Sequence, residues 1–160
     1  MLHAIFSVFY SWLAEIDILL IHFIATWYMV GLIWFVQLVH YPLFSKVDQQ
    51  SHCAYHKAHV FWTTWAVGPA MLTELFFSIA LYYHPRLPSL LTLSNLGLLG
   101  LIWLSTATLQ VPCHERLSTG FEARIHRTLV FSNWIRTVGW SVKGGLALYL
   151  IRMQFMFSVG

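Results

Sequence analysis

Six of the nine histidines in the chain lie near the predicted ends of apolar segments. Within Ser51–His59, three of them are spaced i, i+4 and i+7, which puts the imidazoles of His52, His56 and His59 on one face of a helix. Imidazole is a common ligand of zinc, copper and iron. We therefore predict a site for a transition-metal ion (Fe, Cu or Zn) or a haem, formed by His40, His52, His56, His59, His114 and His126.

Other side chains near the same ends are able to complete such a site: Cys113, Glu115 and Glu122. The alternative is that these histidines are amphipathic anchors at a membrane surface, like the aromatic residues beside them. Those neighbours are Tyr41, Tyr55, Trp62 and Trp65. The spacing alone leaves both interpretations open.

A second group of ionisable residues lies inside the apolar segments. Glu74, Lys143 and His22 all fall roughly 21–27 Å from the histidine-rich end, at about 1.5 Å per helical residue. Ionisable groups are costly in hydrocarbon and face the bundle interior. We predict an ion pair between Glu74 and Lys143 with His22 beside it, which either moves protons for a reaction or holds the helices together.

Arg136 and Asn133 lie between these two groups along the chain. Arginine binds planar anions through two parallel hydrogen bonds, so Arg136 is expected to meet Gln37, Gln110 or an acidic group on a ligand. Arg136 and Asn133 are our candidates for orienting the oxygen atoms of a substrate.

Composition indicates the environment of these groups. Of the 160 residues, 58% are hydrophobic and 9% charged, whereas soluble domains carry about 25% charged residues. The apolar content excludes a disordered chain. The net charge of +3 comes from scattered basic residues, so we expect no nucleic-acid partner. The predicted partner is a lipid bilayer.

Four apolar segments are long enough to cross a bilayer. They lie at about residues 18–40, 59–83, 90–111 and 129–151. The fold prediction is an all-α integral membrane four-helix bundle, preceded by a short interfacial helix over residues 1–14. No internal repeat is evident, so we expect a single domain over residues 1–160.

Basic residues predict the orientation. The loops 41–58 and 112–128 carry Lys46, Lys57, Arg116, Arg124 and Arg127, and the other side carries Arg86 and Arg152. The positive-inside rule predicts that the loops 41–58 and 112–128 face the cytoplasm and that both termini lie outside it. The membrane is expected to be a bacterial inner membrane.

Each predicted span carries one polar stripe, and inward-facing stripes would enclose a cavity. The stripes are His22, Thr26, Gln37 and His40; His56, His59, Thr63, Ala70 and Glu74; Asn95, Thr106 and Gln110; and His126, Asn133, Thr137 and Trp140. Pro69 is expected to break the second helix, and Pro112 to end the third. Close helix approach is expected at Gly97, Gly100, Gly144 and Gly145.

Short motifs resemble a known family. The run Val111-Pro-Cys-His-Glu-Arg-Leu-Ser-Thr-Gly120, the run Asn133-Trp-Ile-Arg-Thr137 with Trp140, and the stretch Trp34 to Phe44 are similar to small four-span membrane proteins related to anthrone oxygenases. The resemblance implies oxygen-dependent chemistry on hydrophobic or quinone-like substrates and assigns site roles to His40, His114, Asn133 and Arg136. A fainter similarity is to the haem-binding protoporphyrinogen oxidase of bacteria.

Three functions fit these observations. The first is an oxygenase-like oxidoreductase that binds a metal or haem and acts on a hydrophobic small molecule. The second is a small proton or ion transporter with Glu74 as its titrating group. The third is an accessory subunit of a larger membrane complex or a homo-oligomer, using the aromatic surface of the bundle.

Overall fold

The computed structural model describes the backbone of residues 2–159 and the side chains of residues 17–154 and 156. The protein is 91% helical and has no strand among the described residues, which confirms the all-α prediction. The α-helices are α1 (Leu2–Phe35), α2 (Tyr41–Leu43), α3 (Gln49–Tyr82), α4 (Ser89–Ser105), α5 (Val111–Leu117) and α6 (Ala123–Val159). Five-residue π-helical turns join α1 to α2 (first π-turn, Val36–His40) and α4 to α5 (second π-turn, Thr106–Gln110).

The long helices form a four-membered ring. Helices α1 and α4 each pack against both α3 and α6, so α1 lies opposite α4 and α3 lies opposite α6. The chain reverses direction after the 3₁₀ turn Phe44–Lys46, at residues 83–88, and again between α5 and α6. We call the end formed by α2, α5 and the starts of α3 and α6 the histidine end.

The two halves of the chain repeat the same order of elements: a long helix, a π-turn, a short helix that begins with X-Pro, and a second long helix. The interval from Val36 to Thr106 also separates Pro42 from Pro112 and His56 from His126. The sequence analysis missed this repeat because few side chains are shared between the halves.

Neither proline ends a long helix as predicted. Helix α3 is continuous across Pro69, and the third helical segment continues past Pro112 to Leu117. Pro112 follows a π-turn in which the Val111 N–H bonds to the Thr106 carbonyl. This wider turn shifts the hydrogen-bond register just before the proline, which lacks an N–H of its own.

Three helical stretches are long and apolar enough to cross a membrane: Asp17–Lys46, Gln49–Tyr82 and Ser89–Leu117. Helix α6, the predicted fourth span, is not among them in the part of the chain that was searched. Its apolar residues are interrupted by Arg136 and Lys143. The backbone of the predicted interfacial helix is continuous with α1, and its side chains and Met1 lie outside the described residues.

Close helix packing occurs at one of the four predicted glycines, Gly144, and at Gly139, which was not predicted. A Cβ built on Gly139 would lie 2.9 Å from Ile102 Cγ1, and one on Gly144 would lie 3.0 Å from Val30 Cγ2. Added Cβ atoms at the other three predicted positions, Gly97, Gly100 and Gly145, meet nothing within 4 Å. Helix α6 therefore approaches α4 and α1 through Gly139 and Gly144.

Candidate functional site

Four imidazoles meet at the histidine end. His40 Nε2 lies 2.7 Å from His59 Nδ1, and His56 Nε2 lies 3.2 Å from His114 Nδ1. The rings of His59 and His114 are 5.4 Å apart, which links the two pairs. We call His40, His56, His59 and His114 the imidazole cluster.

The cluster is assembled from three separate parts of the chain. His40 ends the first π-turn, His56 and His59 lie one helical turn apart on α3, and His114 lies on α5. The Ser51–His59 segment is helical, so the predicted single stripe of histidines exists. Phe44 is completely buried beneath the cluster, with its ring edge-on to His56 at 5.3 Å and to His59 at 4.8 Å.

Tyr41 belongs to the site, although the sequence suggested a surface anchor. The side chain is 3% exposed, and its hydroxyl lies 3.0 Å from His114 Nε2. The inward face passes from Gln37 to Tyr41, four residues on, and leaves His40 partly exposed. Both His40 and Tyr41 are at α-helical spacing from Gln37, so the spacing alone does not decide which of them faces inward.

Two predicted ligands, His52 and His126, form no hydrogen bond with the imidazole cluster. His126 Nε2 is 2.7 Å from the backbone carbonyl of Tyr41, so it bonds to the backbone that carries the site. His52 stacks on His56 at 5.6 Å and meets Phe121 edge-on at 5.1 Å. Cys113 is buried and Glu122 is exposed.

Where side chains are described, no three or more His, Cys, Asp or Glu residues are arranged to hold a metal ion. Several nitrogens of the imidazole cluster are instead paired with each other, with Tyr41 or with Thr63, whose Oγ1 lies 3.0 Å from His59 Nδ1. The buried His56 Nδ1 has no hydrogen-bond partner. Each contact between ring nitrogens shares a proton that a metal ion would have to replace.

A cavity of about 820 Å³ lies beside the cluster, between α3 on one side and the second π-turn and α5 on the other. His59, His114 and Tyr41 form part of its wall. Ligand sites commonly enclose about 300–1,000 Å³. A second cavity of about 20 Å³, close to the size of one water, shares Tyr41, His59 and Arg136 with it.

Arg136 lies on the wall of both cavities and is 7% exposed. Its Nη1 donates to Asn133 Oδ1 at 3.3 Å, and Asn133 Nδ2 donates to Gln37 Oε1 at 2.9 Å. Gln110 instead bonds to Ser132 and Ser105. The expected contacts of Arg136 with Gln37 and Gln110 are thus absent among the hydrogen bonds of the described residues, and Asn133 links Arg136 to Gln37.

Glu74 and Lys143 form the ion pair that the depth count predicts. Lys143 Nζ lies 2.7 Å from Glu74 Oε2, and both side chains are fully buried. Lys143 also donates to Asn95 Oδ1 at 2.7 Å and to Ser78 Oγ at 3.1 Å, while Thr26 donates to Glu74. Every charge in this network has hydrogen-bonding partners from other helices.

His22 completes the network. Its Nε2 lies 3.0 Å from Asn95 Nδ2, 3.2 Å from Lys143 Nζ and 3.4 Å from Glu74 Oε2. Neither cavity is lined by His22, Glu74 or Lys143. The sequence missed the two uncharged partners Asn95 and Ser78 as members of this site, although Asn95 lies on a predicted polar stripe.

Comparison of the chain with models of protein families, with curated proteins and with solved structures gives no match. The similarity to proteins related to anthrone oxygenases therefore stays a prediction from short motifs. A proposal for the function therefore depends on the geometry of the imidazole cluster and the cavity beside it.

Proposed function

We propose that this protein is an integral membrane redox protein whose imidazole cluster binds a transition-metal ion beside a cavity for a hydrophobic small molecule. The observation that carries the proposal is the meeting of four imidazoles from three chain segments, two of which, His59 and His114, line an 820 Å³ cavity. Convergence of separate segments is unusual for surface anchors, which act singly.

In this proposal all four long helices cross the bilayer, including α6. The outward face of α6 is apolar: Phe131 is 80% exposed, Val138 is 55% and Val142 is 52%. Its two central charges, Arg136 and Lys143, point into the bundle, where both are buried. A helix with charges inside and apolar residues outside suits lipid, although its average composition is less apolar.

The spacing of the imidazole nitrogens fits an ion better than a haem. Two nitrogens bound to one tetrahedral ion at about 2.0–2.1 Å lie about 3.3 Å apart. The His56 and His114 nitrogens are 3.2 Å apart, and those of His40 and His59 at 2.7 Å need to open by about half an ångström. Opposed axial ligands of a haem must leave room for the porphyrin between them, and these hydrogen-bonded pairs do not.

When bound, a redox-active ion would supply electron transfer with the substrate or activation of oxygen. The chain itself supplies the rest of the site. Tyr41 holds the far nitrogen of His114, and Asn133 positions Arg136 at the cavity wall. Second partners of this kind fix the orientation of ligand rings. Thr63 bonds to His59 Nδ1, the nitrogen that would bind the ion, so this hydrogen bond would give way on metal binding.

The Glu74 network favours a structural role over proton transport. Its carboxylate already accepts from Lys143, Ser78 and Thr26, and none of these three residues lines a described cavity. Buried and fully paired ions of this type hold helices in register. The transporter interpretation is therefore less well supported than the metal site.

The test is metal quantitation by mass spectrometry, together with an optical spectrum, on the full chain purified in detergent. We expect a single iron or copper ion per chain, and loss of that ion in His56→Ala and His114→Ala. Zinc in its place would support the metal site but contradict the redox function, because zinc has no redox chemistry. The matched control is His84→Gln, which changes a buried imidazole in the 83–88 loop at the opposite end of the bundle.

Metal content that is absent from the wild type, or unchanged in both histidine variants, would contradict the proposal. A Soret band would also contradict the proposal, because it would show that the site binds a haem and not a single ion. A folded variant is recognised by unchanged tryptophan fluorescence and detergent elution volume.

A further inference from the structure

The large cavity contains a buried positive charge that no acidic side chain neutralises. Arg136 has no carboxylate within ion-pair distance among the residues whose side chains are described. Its Nε is buried and has no hydrogen-bond partner. We propose that the cavity binds a lipid-soluble carboxylic acid, whose carboxylate pairs with Arg136 and whose hydrocarbon chain extends between α3 and α5 towards the bilayer.

The contrast with Lys143 carries the argument. Lys143 is also buried but lies 2.7 Å from Glu74 Oε2. Arg136 contacts neutral groups: the amide oxygen of Asn133 at 3.3 Å and the phenol of Tyr41. An unpaired buried charge is destabilising, so an anion that enters the cavity would be bound favourably by neutralising it.

The chemistry of the cavity wall favours a carboxylate. A guanidinium presents two parallel N–H groups that match the two oxygens of a carboxylate. The nearby side chains Gln110 and Thr63 already bond to Ser132 and His59, so Arg136 is the available donor. Among the charged side chains that line the cavity, Arg136 is buried, whereas Lys57 and Glu115 are exposed. A head group with a single negative charge would therefore balance the charge of Arg136.

The remaining wall is mostly apolar and opens towards the outside of the bundle. Phe61 is 56% exposed, Trp65 is 66% and Val111 is 44%, and all three line the cavity. Side chains of this kind match a hydrocarbon tail that continues into lipid. The inference deepens the proposed function by naming its substrate class, and it relies on that proposal for the membrane setting but not for the metal.

The experiment measures displacement of nitroxide-labelled stearic acid from the full chain in detergent that contains EDTA. We expect palmitate to displace the probe and methyl palmitate to bind at least about tenfold more weakly, because the ester lacks the charge. Arg136→Gln should weaken palmitate binding by a similar factor, and Arg136→Lys should retain part of it.

A second pair of variants tests the cavity without touching the charge. Gly68 lines the cavity and has open space around its Cα, so Gly68→Leu should fill the groove and weaken binding. Gly31 has similar open space but lies outside the cavity lining, so Gly31→Leu is the control and should bind normally. This pair of variants tests whether the acid binds in the cavity even if Arg136→Gln fails to fold.

Three results would overturn the inference: equal binding of palmitate and its methyl ester, unchanged binding in Gly68→Leu, and stronger competition by phosphatidic acid than by palmitate. Metal content is measured on parallel samples without EDTA. Acid binding that depends on Arg136 in a protein without metal would sustain this inference and contradict the proposed function. A protein that contains the metal but does not bind the acid would support the proposed function and contradict this inference.

Discussion

Lys143 and Arg136 illustrate two ways of holding a cation inside this bundle. Lys143 is surrounded by Glu74, Ser78 and Asn95, all within 3.1 Å of Nζ. Arg136 faces two cavities and contacts neutral groups. The first arrangement suits helix packing, and the second suits the binding of a ligand.

Removing one partner of the buried ion pair should destabilise the protein strongly. In Lys143→Met the Glu74 carboxylate keeps its burial but loses its counterion, so we expect a loss of about 3–5 kcal/mol in the free energy of unfolding. The double variant Glu74→Leu/Lys143→Met should recover most of that loss. Unfolding in mixed micelles measures both values, and a double variant no more stable than Lys143→Met would contradict this account.

Tyr41→Phe tests the orientation of His114. Loss of the hydroxyl removes the 3.0 Å contact with His114 Nε2 but keeps the aromatic packing. Because second partners of ligand histidines contribute about 10–100-fold to metal affinity, we expect a decrease in that range. Tyr55→Phe is the control, since Tyr55 is 38% exposed at the edge of the same site. Equal affinities in the two variants would exclude a role for Tyr41.

Among single residues, the sequence predicts the buried charged side chains better than the uncharged side chains that bond to them. The depth count finds Glu74, His22 and Lys143 because ionisable residues are conspicuous in apolar segments. Tyr41 and Ser78 are missed, since hydroxyl groups are common in such segments and their roles depend on which way each helix faces. That direction is fixed by packing, which spacing alone does not encode.

The second π-turn is an element that a uniform helical count does not predict. Buried positions in α4 follow at intervals of three or four residues up to Ser105, and the next buried residue is Gln110. The extra residue in the turn keeps Cys113 and Leu117 on the inward face. The sequence predicted the long helices because each contains an apolar segment long enough to be recognised despite individual polar residues. One added residue in a turn changes neither the length nor the composition of the segment, so the sequence does not reveal it.

Close approach of α4 and α6 gives a prediction at the level of these elements. Gly145→Ala should raise the free energy of unfolding by about 0.5–1 kcal/mol, because alanine favours helices and the position is open. Gly139→Ala places a methyl group 2.9 Å from Ile102 Cγ1 and should lower it by about 1–3 kcal/mol. Similar effects of the two substitutions would show that the helices do not depend on this contact.

For the whole molecule, the prediction concerns orientation in the membrane. In a protein with Cys53 and Cys113 replaced by serine, we expect a cysteine at Ser89 to react with an impermeant thiol reagent in intact bacteria. One at Thr119 should react only after the membrane is broken, because basic residues concentrate at the histidine end. The reverse labelling pattern would invert the topology, and labelling of both sites in intact cells would contradict four crossings.

The repeated order of elements has a consequence for how such a molecule can be built. Each half is a hairpin of two long helices, so both hairpins have the same polarity, and the ring order of the four helices matches a half-turn about the bundle axis. Separately produced hairpins, divided within residues 83–88, should reassociate. Two copies of the first hairpin would present His40, His56 and His59 twice, on opposite sides of that axis.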